Sequence, residues 1–350
     1  MPCVLPEGTG SGVTPAREDP MISIYAYRSG RFKETVSLEE SLLVLMSKPR
    51  PEEMERVAEG LGISLKFLED VLDENEVSRM AIKREIIAGY VDMAYRTRRA
   101  GRHSFQTLPM GVLVRGGKLV AVMNRHLLHL EDIQQWLTEP EASQEPEASQ
   151  EPETSQAPEA SRAPDPLDLM LAIFMAVAAT YIETLRAVEA ETIQIEEKTQ
   201  GAMQNREVMQ LMEYKRSITN MEVSLHAFAK VLERIGQISG IRDVPARKQM
   251  FDEVVIETEQ ALEMSAIFSS DLSDLLEACS SLISNNLNVV MKILTAMTVV
   301  LAIPTMIAGF FGMNVGLPLP GLTRDFWLIT GLSMIISATV AVILIRRKMM

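Results

Sequence analysis

The chain has 350 residues and a formal net charge of −13, from 34 lysines and arginines against 47 aspartates and glutamates. This balance argues against a nucleic-acid-binding surface and is compatible with the attraction of cations. The two cysteines, Cys3 and Cys279, form neither a metal-binding spacing nor a disulfide framework. No nucleophile elbow, phosphate-binding loop or dinucleotide fingerprint occurs, so we expect no enzyme and no cofactor.

The N-terminal third predicts a short disordered segment followed by a folded domain. Residues 1–20 mix Gly, Pro, Thr and charges without an apolar core, so they are not a signal peptide, and translation could start at Met1 or Met21. Residues 21–138 predict an α/β cytoplasmic domain. Its predicted elements are a strand at Ile22–Tyr27, helices at Pro51–Leu61 and Ser64–Leu72, and a hairpin at Gly111–Asn124 that turns at Gly116 and Gly117.

Residues 139–165 predict an acidic linker. They include four copies of a six-residue Glu/Pro/Ser unit over 139–162, a composition typical of disorder. A loop expanded by repeat slippage is favoured over a cation-concentrating or partner-binding segment. Just before the linker, His126 and His129 lie three residues apart without a third ligand, which favours a structural role.

Helical patterns dominate the chain after the linker. Residues 166–245 predict cytoplasmic helices, and the uncharged stretch Leu169–Ile182 predicts a buried helix because Asp168 and Glu183 close it too early for a membrane span. From Ala246 no proline or glycine occurs before Pro304. Residues 246–292 therefore predict a stalk helix that continues into the next segment.

Two C-terminal segments are long and apolar enough to cross a bilayer. Ile293–Phe311 has 19 residues without a charge and Phe326–Ile345 has 20 more, so each covers about 30 Å at 1.5 Å per residue. Lys292 precedes the first span and the basic tail 346–350 follows the second. Positive charge marks the cytoplasmic side, so we expect a multi-pass protein of the cell's inner (plasma) membrane with both termini cytoplasmic and residues 312–325 as an external loop.

One edge of the long helix is small or polar at a spacing that alternates four and three residues. This period keeps one seam facing the axis of a left-handed helical bundle. We call this edge the stripe. Its members are Ser270, Asp274, Glu277, Ser281, Ser284, Asn288, Met291, Thr295, Thr298, Ala302, Thr305 and Gly309.

The stripe fits two structures, a water-filled pore shared by several subunits or dry packing between helices. Continued polarity through Asn288, Glu277 and Asp274 favours the pore, although these two acids would equally suit a solvated face. Met291 and Leu294 would then form apolar rings at the cytoplasmic end, where a pore can close by dewetting.

The first span ends in Gly309-Phe-Phe followed by Gly312-Met313-Asn314, which resembles the Gly-Met-Asn signature of CorA-type divalent cation channels. The segments Asn288–Thr295 and Pro304–Gly309 are similar to the pore helix of that family. Phe67–Asp70 with Asp73–Arg79 resembles its cytoplasmic Glu-Asp segment. The resemblance covers most of residues 21–349 outside the linker.

The resemblance implies an α+β fold, with an α/β domain, a stalk helix that continues into the first of two transmembrane helices, and a homopentameric funnel. It implies a selectivity filter at Gly312, Met313 and Asn314, where a ring of Asn314 amides would hold a hydrated Mg²⁺ without trapping it. The implied partners are further copies of the chain, the lipid bilayer and the transported divalent cations. Together with the stripe, this predicts pore-lining residues Asn288, Met291, Leu294, Thr295, Thr298, Ala302, Thr305 and Gly309, of which the resemblance implies that Asn288, Thr305 and Gly309 offer oxygen to the passing ion.

Two departures from the family pattern concern regulation and cation capture. Leu319 stands where the family commonly has an acid near the mouth. Glu253 could serve as a regulatory acid on the stalk, but Ala88 and Gly89 stand where its partner acids would be expected. Gating by Mg²⁺ is therefore not predicted.

The sequence supports a Mg²⁺ influx channel, with Co²⁺ or Ni²⁺ as further substrates. Two alternatives stay open. One is a zinc transporter like the ZntB branch of the same superfamily, suggested by the altered loop. The other is a membrane-anchored scaffold or sensor that conducts nothing.

Overall fold

The computed structural model describes residues 22–73, 78–83, 86–99, 102–125, 127–138, 163–198, 205–313 and 322–347. The predicted disordered N-terminus, the acidic repeats, His126, Asn314, Leu319 and the last residues of the basic tail lie outside these ranges. The chain divides into two compact units. The first contains the described residues up to Lys198 and Met209–Leu272, and the second contains residues 205–208 and the described residues from Ser273.

Seven strands of the first unit form one sheet in the order β2-β1-β3-β7-β6-β5-β4. Neighbouring strands pair antiparallel except β3 and β7, which run parallel with Leu43 opposite Leu119. The strands are β1 Ile22–Arg28, β2 Arg31–Glu34, β3 Leu43–Ser47, β4 Arg79–Lys83, β5 Ile86–Arg99, β6 Arg102–Arg115 and β7 Lys118–Met123. The predicted hairpin is confirmed, and its turn glycines Gly116 and Gly117 both have positive φ.

Eight helices are described. They are α1 Pro51–Leu61, α2 Leu65–Val71, α3 Leu130–Thr138, α4 Pro166–Lys198, α5 Asn205–Ile235, α6 Ser239–Arg242, α7 Pro245–Phe311 and α8 Leu322–Arg346. The predicted helices α1 and α2 are confirmed. Pro51 starts α1, Glu53 accepts a hydrogen bond from the Arg50 N–H at 2.7 Å, and Gly62 ends the helix in the left-handed region.

The sheet is a middle layer between helices, as successive residues of β5 show. Tyr90 packs on Phe67 of α2, with ring centroids 5.0 Å apart. A Cβ on the adjacent Gly89 would lie 3.9 Å from Phe174 of α4, on the opposite face. On the α2 face Gly111 permits close approach, because a Cβ there would lie 2.2 Å from Val71.

This packing also shows where the two positions lie at which the family pattern would place the partner acids of Glu253. Ala88 is 7% exposed and belongs to the core between the sheet and α1–α2, while Gly89 faces α4. Both positions therefore lie in the interior of this domain within the single chain.

Helix α4 is the central helix of the first unit. Its apolar stretch Leu169–Ala178 is at most 5% exposed and packs against the sheet and α3, as the sequence predicted for a buried helix. Its Tyr181 hydroxyl donates to the Asp92 carbonyl of β5 at 3.1 Å, and Ser224 of α5 donates to the Asp92 carboxylate at 2.6 Å. Burial raises the pKa of Asp92, and the Ser224 hydrogen bond partly opposes that rise.

Arg247, at the start of α7, binds Asp168 of α4 and is 9% exposed. Its Nε donates to Asp168 Oδ1 at 2.5 Å and its Nη1 donates to the Gly240 carbonyl at 2.6 Å. Asp168 also accepts the Asp165 N–H at 3.1 Å, so one carboxylate both caps α4 and holds α7.

Candidate ion pathway

The predicted stripe is an exposed edge of α7. All of its residues from Ser270 to Gly309 are exposed within the single chain. Met291 is 53% exposed and the adjacent Leu294 57%. No other part of the described chain covers this edge, so it is available to water, lipid or another subunit.

Helix α8 contacts the other side of α7. Ala296 is 1% exposed there, and Val300, Ile303 and Ile307 are half-buried. At about 100° per residue, the centre of this contact face lies about 150° around the α7 axis from Thr295, Thr298, Ala302, Thr305 and Gly309. The second span therefore covers the back of α7 and leaves the stripe open.

The stripe threonines use their protons within α7. The Oγ1 atoms of Thr295, Thr298 and Thr305 donate to the carbonyls four residues earlier, at 2.8, 2.8 and 3.1 Å. A hydroxyl whose proton is engaged still offers its oxygen as an acceptor. The waters around a cation point their hydrogens outward, so a row of acceptors suits a hydrated cation.

The helix ends next to the family motif. The Gly312 N–H donates to the Ala308 carbonyl at 2.9 Å, and a Cβ on Gly312 would lie 3.1 Å from that oxygen. Glycine thus relieves crowding at this last turn. Met313 is 57% exposed, and Asn314 lies outside the described residues.

The remaining candidate acids are solvent-exposed. Asp274 and Glu277 lie on the stripe in the second unit, whereas Glu253 lies on α7 in the first unit, where its carboxylate accepts a hydrogen bond from Gln249 Nε2 at 3.0 Å. Within the described ranges no three His, Cys, Asp or Glu side chains are grouped to hold a metal ion. The backbone N–H of His129 donates to Asp132 at the start of α3.

Apart from the stripe, the surface of the two predicted spans is apolar. Three described helices, α4, α7 and α8, are long and apolar enough to cross a membrane, but α4 is buried. The large exposed side chains of the other two include Leu301, Met306, Phe310, Trp327, Leu328, Met334 and Ile335, each at least 60% exposed. Such a surface requires lipid or protein around it.

Charges and aromatic residues bracket the second span. Phe326 and Trp327 form an edge-to-face pair at its start, with centroids 5.5 Å apart. Arg346 and Arg347 lie at its end. Aromatic rings prefer the membrane interface, and basic residues commonly flank a span on its cytoplasmic side.

The sequence reading missed the seam between the two spans. Ser333 and Ser337 of α8 are 7% and 6% exposed and lie on the side of α8 that meets α7. Their spacing of four residues, continued by Ala341, is the small-residue pattern of packed membrane helices. This four-residue spacing of small side chains could have predicted the α8 face that contacts α7.

Comparison with known proteins assigns this architecture to a family. Residues 43–347 match the family described as CorA-like Mg2+ transporter protein. The chain belongs to this family. Its members are transporters rather than enzymes, and the exposed apolar helices make this chain a membrane protein.

Individual CorA relatives are distant in sequence but similar over most of the chain. The cobalt/magnesium transport protein CorA of Methanocaldococcus jannaschii is 23% identical over 307 residues, covering 87% of this chain and 90% of the relative. The Thermotoga maritima protein of the same name is 26% identical over 151 residues, 42% of each chain.

Solved structures show the same fold. The complete M. jannaschii CorA magnesium transporter aligns with a TM-score of 0.69 at 20% identity, covering 93% of this chain and 98% of that one. The full-length CmaX protein aligns with a TM-score of 0.62 at 16% identity, covering 95% and 99%. The mixed α+β architecture with long helices is therefore shared across the full CorA subunit.

Proposed function

We propose that this CorA-family chain is the subunit of a homopentameric channel that carries Mg²⁺, and with it Co²⁺ or Ni²⁺, into the cytoplasm. The observation that carries the proposal is the stripe. It is exposed, rich in acceptor oxygens, and turned about 150° from the face that α8 covers. One such edge cannot enclose water, but several copies of it can.

In this proposal the Asn314 amides form the external filter for the hydrated ion, together with Gly312 and Met313. Mg²⁺ gives up its water reluctantly and favours oxygen ligands in octahedral geometry. Neutral acceptors along Thr305, Thr298 and Asn288 would bind its outer waters without trapping it. Asp274 and Glu277 would line the cytoplasmic exit.

The driving force needs no coupled ion. Moving a charge of +2 into a negative cell gains about 4.6 kcal/mol per 100 mV. The basic residues at the end of α8 favour cytoplasmic termini in the inner membrane, so the stripe would guide the ion from the external loop inward. Met291 and Leu294 would form the apolar constriction that stops flow.

The test is Mg²⁺ uptake into proteoliposomes with a matched pair of isosteric variants. Thr305 and Thr339 are both exposed and both donate to the carbonyl four residues earlier, at 3.1 and 2.7 Å. Thr305 lies on the stripe and Thr339 lies on α8. We expect Thr305→Val to lower uptake by about tenfold, the effect of roughly 1.4 kcal/mol on a transport barrier, and Thr339→Val to leave it unchanged.

Asn314→Ala should lower Mg²⁺ uptake at least as much, since every subunit loses its filter amide. Equal effects of the two threonine variants would contradict the proposed path. Uptake of Zn²⁺ that Mg²⁺ does not inhibit and that follows external pH would instead support the zinc alternative. A reconstituted protein that passes no ion would support the scaffold alternative.

A further inference from the structure

Pro304 lies inside α7, within the first membrane span. Proline has no backbone N–H, so it cannot donate to the carbonyl four residues earlier. The Val300 carbonyl therefore loses its usual partner within the helix. In hydrocarbon no water can replace that partner, and an unsatisfied carbonyl is costly.

The second span supplies the missing donor. The Ser337 hydroxyl of α8 donates to the Val300 carbonyl at 3.4 Å. Ser337 is 6% exposed and Val300 is half-buried, so the bond lies inside the seam between the two helices. A side chain of one helix thus satisfies the backbone group that a proline in the other helix releases.

Other hydroxyls of the two spans behave differently. Ser333, on the same face of α8, donates to the Thr330 carbonyl of its own helix at 2.9 Å. The stripe threonines and Thr339 likewise donate to carbonyls within their own helices. Ser337 instead reaches the backbone of the other helix, at the carbonyl of Val300.

We propose that Ser337 is a positioning residue for the ion path. Its hydrogen bond fixes α8 at the break that Pro304 makes in α7. This contact sets the rotation of the last part of α7, so that Thr305 and Gly309 stay in line with Thr295 and Thr298. The hydrogen bond stands on its own geometry, while its consequence for flux rests on the proposed function.

A double-mutant cycle in lipid nanodiscs tests the bond without reference to transport. Replacing Pro304 with alanine restores an N–H that can pair with the Val300 carbonyl. In the natural background Ser337→Ala should raise the unfolding equilibrium constant by about threefold, the size typical of an interhelical hydrogen bond in a membrane. In the Pro304→Ala background, Ser337→Ala should leave the unfolding equilibrium constant unchanged.

Ser333→Ala is the matched control, because it removes a hydroxyl of equal burial that does not cross the seam. Its effect should be the same in the natural background and in the Pro304→Ala background. Additive effects of Ser337→Ala and Pro304→Ala would overturn the inference, and so would coupling of equal size for Ser333→Ala.

Proteoliposome uptake supplies the functional readout. Ser337→Ala should lower the maximal Mg²⁺ uptake by at least the same threefold, because the stripe is misaligned, and leave the concentration for half-maximal uptake unchanged, because the external motif is intact. Unchanged maximal uptake would overturn the positioning role. If the unaltered protein passes no Mg²⁺ while the unfolding cycle shows coupling, the proposed function fails and the hydrogen bond stands.

Discussion

Helix α4 and the membrane part of α7 have similar apolar composition and opposite surroundings. Both are long and apolar enough to cross a bilayer. Leu169–Ala178 of α4 is at most 5% exposed, whereas Leu301 and Met306 of α7 are 68% and 60% exposed. Hydropathy alone cannot separate the two cases. The charged residues at the ends of the apolar stretch separate them, because Asp168 at the start of α4 binds Arg247 within the first unit.

The largest expected effect tests whether α4 is core. Phe174 is fully buried against Phe228, with ring centroids 5.5 Å apart. Phe174→Ala should lower the free energy of unfolding by about 3–5 kcal/mol because it leaves a cavity. Leu301→Ala, at an exposed position, should cost less than about 1 kcal/mol. Denaturant titration of the full chain in nanodiscs measures both, and similar losses would remove the distinction between the helices.

A smaller effect concerns the junction of α4 and α7. Arg247→Met should lower the free energy of unfolding by about 2 kcal/mol, below the full cost of breaking a buried ion pair because Asp168 is partly hydrated. The control is Arg28→Met, whose ion pair with Glu40 is exposed on both sides, and which should cost less than about 1 kcal/mol. If both variants lost the same free energy of unfolding in this titration, the Arg247 ion pair would not stabilise the junction of α4 and α7.

The smallest effect is pH dependence at Asp92. Burial raises its folded-state pKa above the ordinary 3.8. Between 3.8 and that raised pKa the unfolded chain loses the proton first, so the stability contributed by Asp92 falls as pH rises, by at most about 1.4 kcal/mol per pH unit. Asp92→Asn should therefore gain stability relative to the unaltered chain across this window.

Denaturant titrations at a series of pH values check this slope. Ser224→Ala should widen the window, because the Ser224 hydrogen bond lowers the pKa of Asp92. A stability difference between Asp92→Asn and the unaltered chain that does not change with pH would contradict the assigned burial.

The sequence predicted the elements that carry strong local signals. Pro51 and Gly62 predicted the ends of α1, and Gly116 and Gly117 predicted the hairpin turn. The absence of proline and glycine between Ala246 and Pro304 predicted the long helix α7. Strand β3 was missed because all five of its residues are buried, so it shows no alternation of apolar and polar residues. All of β5 and the first part of β6 were missed as well, since their pairing partners are set by the whole sheet.

Within the candidate site, the stripe could be predicted from the sequence, but the hydrogen bond between Ser337 and the Val300 carbonyl could not. A period of 3.5 residues is visible in one helix, so Thr295 to Gly309 could be aligned without a structure. The Ser337 contact joins residues 37 positions apart, and no local pattern specifies it. The interior positions of Ala88 and Gly89 likewise depend on the register of β5 in the sheet.

The most direct measurement of the central claim is water access to the stripe in a bilayer. In a chain with Cys3→Ser and Cys279→Ala, Ala302→Cys on the stripe and Ala338→Cys on the exposed surface of α8 would be treated with a water-soluble thiol reagent. We expect the cysteine at 302 to react and its reaction to block Mg²⁺ uptake, while the cysteine at 338 stays unreacted in lipid. Protection at 302 equal to that at 338 would contradict this expectation.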